Sequence, residues 1–189
     1  MKPQYTITVF TENHIGLLLR VTAIFTRRHV NIESLTASES EVKGVHRYTI
    51  VVNETREMVE KLAAQLEKQV EVFRAVYHAA DDLICQEIAL YKLPISAIAQ
   101  GIGLEKLIRE HHARILTVEN EFLIIELTGQ REAIRALFDH LAPFGILEFV
   151  CSGRVAIMKP MMSFAQAWRR QQPAPTIRKT DQPSLLTAN

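Results

Sequence analysis

The chain has 189 residues, a formal net charge of +1, and a composition that is 48% hydrophobic and 23% charged. These values are typical of a globular protein with room for one ordinary domain or two small ones. The near-neutral charge gives no reason to expect nucleic acid or an anionic membrane as the main partner. Because the sequence has no signal-peptide core and no apolar run of the ~18–20 residues that span a bilayer, we expect a cytoplasmic protein.

Six elements are predicted in the first part of the chain. Residues 4–10 alternate between polar and apolar side chains, as a half-buried strand does. Apolar residues from Leu17 to Phe25 then recur at helical spacing. Two strands, a helix and a strand follow. The six predicted elements are strand 4–10, helix 17–25, strands 31–39 and 46–52, helix 59–66 and strand 70–77.

The same order repeats in the second part of the chain. The predicted elements there are strand 84–93, helix 104–108, strands 114–118 and 122–127, helix 134–141 and strand 146–150. Each helix needs a sheet to cover its apolar stripe, and split βαβ units of this kind form an antiparallel sheet with two helices on one face. We therefore predict an α+β protein with two tandem ferredoxin-like βαββαβ domains.

The predicted domains cover residues 1–79 and 80–159. Residues 160–189 are rich in proline and glutamine and predict a flexible tail, in which Trp168 is the candidate anchor for a partner. Cys85 and Cys151 lie in the first and last strands of the second domain, so the fold could bring them close together. Two buried reduced thiols are the simpler interpretation, because the cytoplasm keeps thiols reduced.

Motifs for catalysis or metal binding are weak in this sequence. Gly101 and Gly103 lack the third glycine that a dinucleotide-binding fingerprint requires. No carboxylate or cysteine completes a metal-ligand set around His111-His112, and cations at a helix carboxyl end explain this pair more simply. We predict no catalytic residue and no metal site in the chain.

The segment Asn13-His14-Ile15-Gly16 lies between the first predicted strand and the first predicted helix. Gly16 would occupy the amino-terminal end of that helix, where backbone N–H groups lack internal partners and the helix dipole favours an anion. A glycine also allows a ligand to approach the backbone closely. The segment is therefore a candidate carboxylate-binding site, although Asn13 and Gly16 could instead only shape the turn and begin the helix.

These residues carry a family resemblance. The stretches NHIGLLLR at 13–20 and FTRRHVNIESL at 25–35 closely resemble the amino-terminal ACT domain of acetolactate synthase small subunits. RYTI at 47–50 and QVEVFR at 69–74 continue the similarity, which covers roughly residues 4–77. The second half resembles the carboxy-terminal domain of this family more loosely, with Ser152-Gly153 near its end.

The resemblance implies a regulatory subunit that binds a feedback inhibitor, usually valine, between two copies of the chain. The ACT domains of the homodimer would pair side by side into one continuous sheet. Asn13 and Gly16, with His14 between them, would hold the carboxylate end of the amino acid, and Asn31 and Ile32 from the partner copy would complete the pocket. Ile15, Leu17 and Ile32 could line an apolar slot for the side chain, or could equally belong to the core.

The resemblance also assigns catalysis to a separate large subunit that uses thiamine diphosphate, Mg²⁺ and flavin (FAD), so no cofactor is expected in this chain. Two departures matter: the tail beyond Pro160 looks longer than the family needs, and His29 stands where the family commonly has glycine. A histidine there must either adopt a positive φ at some cost or use a different turn. Two other classes stay open, a free-standing ACT sensor of another enzyme or of transcription, and a ferredoxin-like enzyme such as an acylphosphatase.

Overall fold

A computed structural model describes residues 2–99, 102–159 and 166 of the chain. Residues 1–159 form one compact unit. The predicted tail and its candidate anchor Trp168 lie outside the described residues, except for Gln166. None of the described helices is both long and apolar enough to cross a membrane.

The first half of the chain forms a four-stranded antiparallel sheet with two helices. The strand order is β2-β3-β1-β4, which agrees with the ferredoxin-like fold that the sequence predicts. The elements are β1 (Gln4–Glu12), α1 (Leu17–Arg27), β2 (Ser34–Glu39), β3 (Val45–Asn53), α2 (Arg56–Glu67) and β4 (Val72–Ala79).

The second half repeats this arrangement in the order β6-β7-β5-β8, with one further strand that pairs with β5. The elements are β5 (Leu83–Pro94), α3 (Ser96–Ala99), α4 (Ile102–Glu110), β6 (Arg114–Val118), β7 (Phe122–Gly129), α5 (Arg131–Leu141), β8 (Glu148–Cys151) and β9 (Val155–Met158). The predicted α+β class with two tandem ferredoxin-like units is confirmed, whereas the domain boundary between residues 79 and 80 stays a prediction.

Each sheet packs one apolar face against its own helices. In the first half, Ile7 and Val9 of β1 meet the buried stripe of α1, including Ile24 and Phe25. In the second half, Tyr91 of β5 is fully buried and donates a hydrogen bond from its hydroxyl to the Ile134 carbonyl of α5 (2.7 Å). The alternation in the strands and the helical spacing therefore produce two separate hydrophobic cores.

The strand β9 was not predicted, and it changes the architecture. β5 has twelve residues, of which the first four pair with β9 and the last eight belong to the second sheet. The two-stranded ribbon formed by residues 83–86 and 155–158 lies against the helix-free face of the first sheet. There Ala156 is buried and its carbonyl accepts a hydrogen bond from Arg47 of β3. The prediction that the chain's last strand is 146–150 is therefore wrong.

Three predicted strands start later than the sequence suggested. β2 begins at Ser34 rather than at residue 31, β4 at Val72 rather than at 70, and β8 at Glu148 rather than at 146. The side chain of Val70 is 93% exposed, so its β-branched shape misled the prediction. Residues 31–33 instead carry the chain from the end of α1 to the sheet edge, and the Glu33 N–H bonds the Val51 carbonyl only at the end of that segment (2.9 Å).

The residue that departs from the family pattern adopts a positive φ. His29 has φ 55°, and the N–H of the following Val30 bonds back to the Phe25 carbonyl (3.0 Å). The second half repeats this helix ending, with His112 at φ 54° and the Ala113 N–H bonded to the Ile108 carbonyl (2.9 Å). Both are Schellman endings, a motif that normally uses glycine. Of the two alternatives predicted for His29, a positive φ or a different turn, the positive φ is therefore correct.

The two cysteines are free thiols that do not face each other. Cys85 pairs with Ala156 of β9, whereas Cys151 pairs with Ala89, four residues further along β5. The predicted neighbourhood of the first and last strands is correct, but the unpredicted β9 occupies the position opposite Cys85. The register therefore disfavours a disulfide between them.

Candidate functional site

Gly16 occupies the amino-terminal end of α1 in a left-handed conformation. Its φ is 83°, and its carbonyl accepts the N–H of Arg20 (3.2 Å). The chain reaches this point through a turn in which the Leu17 N–H bonds the His14 carbonyl (3.2 Å). A Cβ at Gly16 would meet no atom within 4 Å, so the space in front of the helix is open to a ligand.

The amino terminus of α1 lacks the groups that normally neutralise a helix end. No side chain caps it, and its first turn contains no acidic residue. By contrast, the Thr55 side chain accepts the Met58 N–H at the start of α2, and Glu57 lies in that first turn. Unpaired N–H groups and the helix dipole therefore leave α1 with an uncompensated partial positive charge that suits a carboxylate.

One carboxylate lies near this site but is engaged elsewhere. The Arg20 guanidinium donates to Glu71 Oε1 (2.7 Å), and this bond is the main reason why the pKa of Glu71 is lowered. The positive charge of His14 lowers the same pKa further, and the His14 ring bonds the Ile15 carbonyl (2.9 Å). The sequence reading missed the Arg20–Glu71 pair, which joins positions 51 residues apart and has no local signal.

The apolar candidates separate into different roles. The side chain of Leu17 is fully buried with the core stripe of α1. Leu17 is therefore a core residue, which is one of the two roles that the sequence allowed. Ile32 is half-buried and packs against the first core. Ile15 is 96% exposed, which leaves a large aliphatic side chain in solvent beside the bare helix end. Of the three, Ile15 therefore remains the best placed to contact a ligand.

Asn31 and Ile32 lie at the opposite end of α1 from Gly16. β1 and β2 are each antiparallel to β3, so they run parallel to each other and α1 carries the chain back between them. The eleven residues of α1 span about 16 Å. Asn31 donates to Glu33 Oε1 (3.0 Å) and is exposed. A single copy of the chain therefore does not bring the two parts of the predicted effector site together.

Other candidate sites in the described residues carry less chemistry. The His111 ring bonds the His140 ring (Nε2 to Nδ1, 2.8 Å), but no group of three or more potential metal ligands was found in the described part of the chain. Two cavities of about 220 and 330 Å³ lie between the halves, the first beside Arg47 and the second beside Arg154. The predicted effector residues line neither of these two cavities.

Comparison with known proteins finds two sequence models of one family, and each matches one half of the chain. A sequence model described as "AHAS small subunit-like ACT domain" matches residues 7–74, and one described as "Small subunit of acetolactate synthase" matches residues 86–160. The second match counts against a free-standing ACT sensor, because it extends the similarity beyond the ACT domain.

Curated relatives and a solved structure agree with these matches. The chain is 37% identical to the acetolactate synthase small subunit of Mycobacterium leprae over 83% of its length and 92% of the relative's. It is 35% identical to that of Bacillus subtilis, over 81% of this chain and 89% of the relative. The crystal structure of the small subunit from Thermotoga maritima superposes with a TM-score of 0.76 at 27% identity, covering 84% of this chain and 99% of that one. The chain therefore belongs to the family of acetolactate synthase small subunits, the regulatory subunits of that enzyme.

Proposed function

We propose that this chain binds and stimulates a separate catalytic subunit of acetolactate synthase and confers feedback inhibition by valine or another branched-chain amino acid. The observation that supports it most directly is the uncapped, acid-free start of α1 at Gly16, beside the exposed Ile15, in a chain of this family. A zwitterionic ligand with a branched side chain needs N–H donors at its carboxylate, acceptors at its ammonium group and an apolar surface at its side chain.

The effector site is completed by a second copy of the chain. β2 is an edge strand of the first sheet. If two β2 edges pair antiparallel about a twofold axis, the start of the partner's β2 lies at the end of the first copy's β2, which is also the end where α1 begins. This pairing brings Asn31 and Ile32 of one copy to Gly16 and Ile15 of the other. The homodimer contains two such sites.

Each part of the proposed pocket has a chemical role. The N–H groups at the start of α1 hold the ligand carboxylate, and the Asn13 side chain offers both a donor and an acceptor. Ile15 and the second copy's half-buried isoleucine at position 32 form the slot for the ligand's side chain. Burial of one such side chain stabilises by about 1.5–3 kcal/mol. The exposed Ile15 therefore contributes this favourable free energy only when a bound ligand covers it.

Catalysis is assigned to the partner. We propose that the large subunit holds thiamine diphosphate, Mg²⁺ and FAD, and that this chain carries no active site. Its effect on the reaction is then a coupling free energy between the effector site and the catalytic subunit, typically about 1–3 kcal/mol. The cytoplasmic location stays a prediction from the sequence.

The decisive experiment is acetolactate formation by the same organism's catalytic subunit, with and without this chain, across a valine titration. We expect stimulation by the chain and reversal of that stimulation by valine. Stimulation that valine does not reverse would retain the catalytic partner but contradict valine as the effector. Absence of stimulation would contradict the regulatory role.

The proposed dimer has its own test at the β2 edge. Ala37 is exposed on β2, and Ala37→Lys places two like charges near each other across the twofold axis. We expect dimer dissociation at a protein concentration at least about tenfold higher than for the wild type, measured by sedimentation velocity. Ala64→Lys on the exposed face of α2 is the matched control. Equal behaviour of the two variants would contradict pairing through β2.

A further inference from the structure

Arg154 is a buried charged residue that touches both halves of the molecule. Its side chain is 9% exposed. The guanidinium donates to Gln4 Oε1 (2.6 Å) and Thr6 Oγ1 (3.2 Å) on β1, and its Nε lies 3.6 Å from Glu87 Oε1 on β5. Its backbone N–H donates to Ser34 Oγ, at the first residue of β2 (3.1 Å). One residue therefore joins two strands of the first sheet to the central strand of the second.

A β-bulge places Arg154 in this position. Cys151 pairs with Ala89 and Val155 pairs with Gln86, so the three residues 152–154 lie opposite only two residues of β5. An extra residue of this kind bends its strand and redirects the side chains beside it. Gly153 within the bulge packs so closely on β2 that a Cβ there would lie 2.9 Å from the Leu35 carbonyl oxygen.

The contacts of Arg154 lie on the two strands that adjoin the proposed effector site. Ser34, at the start of β2, follows Ile32 by two residues, whereas Gln4 and Thr6 lie near the start of β1, whose other end leads to Asn13 and Gly16. Hydrogen bonds weaken steeply with distance and angle, so a small displacement of either strand changes the bonds to Arg154. Because the group is buried, water cannot readily replace a lost bond, and Arg154 has to move with the strands.

We propose that Arg154 is the positioning residue that transmits effector binding from the first half of the chain to the second. This inference rests on the proposed function. The guanidinium follows the displacement of β1 and β2 and passes it to Glu87 on β5, a residue that is 2% exposed. Ligand binding in the first sheet thereby changes the position of β5, which belongs to the second.

The test uses Arg154→Met in the full chain, reconstituted with the catalytic subunit. Two quantities are measured: the inhibition of acetolactate formation at saturating valine, and the valine Kd of the regulatory chain by calorimetry. We expect stimulation to persist and Kd to change by less than about threefold, while maximal inhibition falls to less than about half of the wild-type value. A merely structural role would instead weaken valine binding and stimulation together.

Arg131→Met is the matched control, because it also removes one guanidinium from Glu87 but from the α5 side. We expect this variant to keep full valine inhibition. If Arg154→Met does not fold, Thr6→Val replaces it, since this change removes one acceptor of Arg154 and keeps the side-chain shape. We expect partial loss of maximal inhibition at unchanged valine Kd.

Full inhibition of a folded Arg154→Met variant, or an equal loss in Arg131→Met, would overturn the role of Arg154 and leave the proposed function intact. Full inhibition in Thr6→Val would do the same if that variant is the one tested. If valine binds the wild-type complex without inhibiting it, or does not bind it at all, the proposal of valine as effector is overturned, and the role of Arg154 with it.

Discussion

The two halves of the molecule share a strand order but differ on the helix-free face of each sheet. In the first sheet this face is polar and buried, since Thr6, Thr8 and Thr49 are almost inaccessible to solvent. In the second sheet the same face is accessible and mixes apolar with charged side chains: Ile88 is 49% and Val150 is 53% exposed, beside the Lys92–Glu148 ion pair. Whether the side chains of a sheet face are polar or apolar therefore does not predict whether another part of the chain covers that face. The ribbon of β5 and β9 covers the polar face of the first sheet, and this contact is visible only in the tertiary structure.

The largest effect is expected at the uncapped amino terminus of α1, in the first half of the chain. Gly16→Asp places a carboxylate where the ligand carboxylate would bind, with open space around the new Cβ. Loss of charge-assisted hydrogen bonds of about 1.5–3 kcal/mol, together with repulsion, should raise the half-inhibitory valine concentration about 100-fold. The measurement is a valine titration of the reconstituted complex.

Gly16→Asn is the control for this variant, because asparagine imposes the same strain at φ 83° without a charge. Gly103→Asp, within α4, introduces the same charge in the second half. We expect it to leave valine inhibition unchanged. Equal loss of inhibition in all three variants would contradict a carboxylate site at α1.

The contact between the halves is tested next. Gly153→Ala forces a Cβ to within 2.9 Å of the Leu35 carbonyl, so the bulge must shift away from β2. We expect a loss of about 1–3 kcal/mol in the free energy of unfolding, measured in urea. Gly103→Ala within α4 is the control, since its Cβ would meet only Phe144 at 3.7 Å. That variant should gain about 0.5–1 kcal/mol. Equal stability of the two would contradict close packing at Gly153.

Two buried threonines on β1 sharpen the comparison at a smaller scale. Thr6 accepts a hydrogen bond from Arg154, whereas the hydroxyl of Thr11 is buried without a partner in the structure. Thr6→Val should cost about 1–2 kcal/mol, because a charged donor loses its acceptor. Thr11→Val should be neutral or stabilising by up to about 1 kcal/mol. Denaturant unfolding of both variants measures the difference, and the reverse order would show that the covered face is packed differently.

The smallest effect concerns the thiols on either side of the bulge. Burial raises the pKa of Cys85 and of Cys151, and the Glu87 charge raises both further. A raised folded-state pKa adds stability below the unfolded thiol pKa of about 8.5, and this contribution is lost as the pH rises through the folded value. We expect both native thiols to react with a disulfide reagent at pH 8 about tenfold more slowly than free cysteine. Rates equal to those of free cysteine would contradict this burial.

Local pattern was sufficient for most of the fold and for the position of Gly16 at the start of α1. Alternation in 4–10 and helical spacing from Leu17 to Phe25 record which side chains meet a neighbouring layer, so the sequence predicts strand and helix correctly. Gly16 was also identified from local requirements at a helix start. The four residues of β9 were missed, because they resemble a loop end until β5 is there to pair with them. Arg154 was missed for the same reason: its two partners on β1 lie about 150 positions earlier in the chain.

The twelve residues of β5 limit how far this protein can be treated as exchangeable modules. A chimera that joins residues 1–79 to a foreign second domain would lose residues 83–86 and 155–158, and the buried threonine face would meet water. A second half grafted elsewhere would in turn carry an unsupported two-stranded ribbon and expose Ala156, which the first sheet covers in the intact chain. A recombination boundary that preserves both halves therefore has to keep β5, the bulge and β9 together with the first sheet.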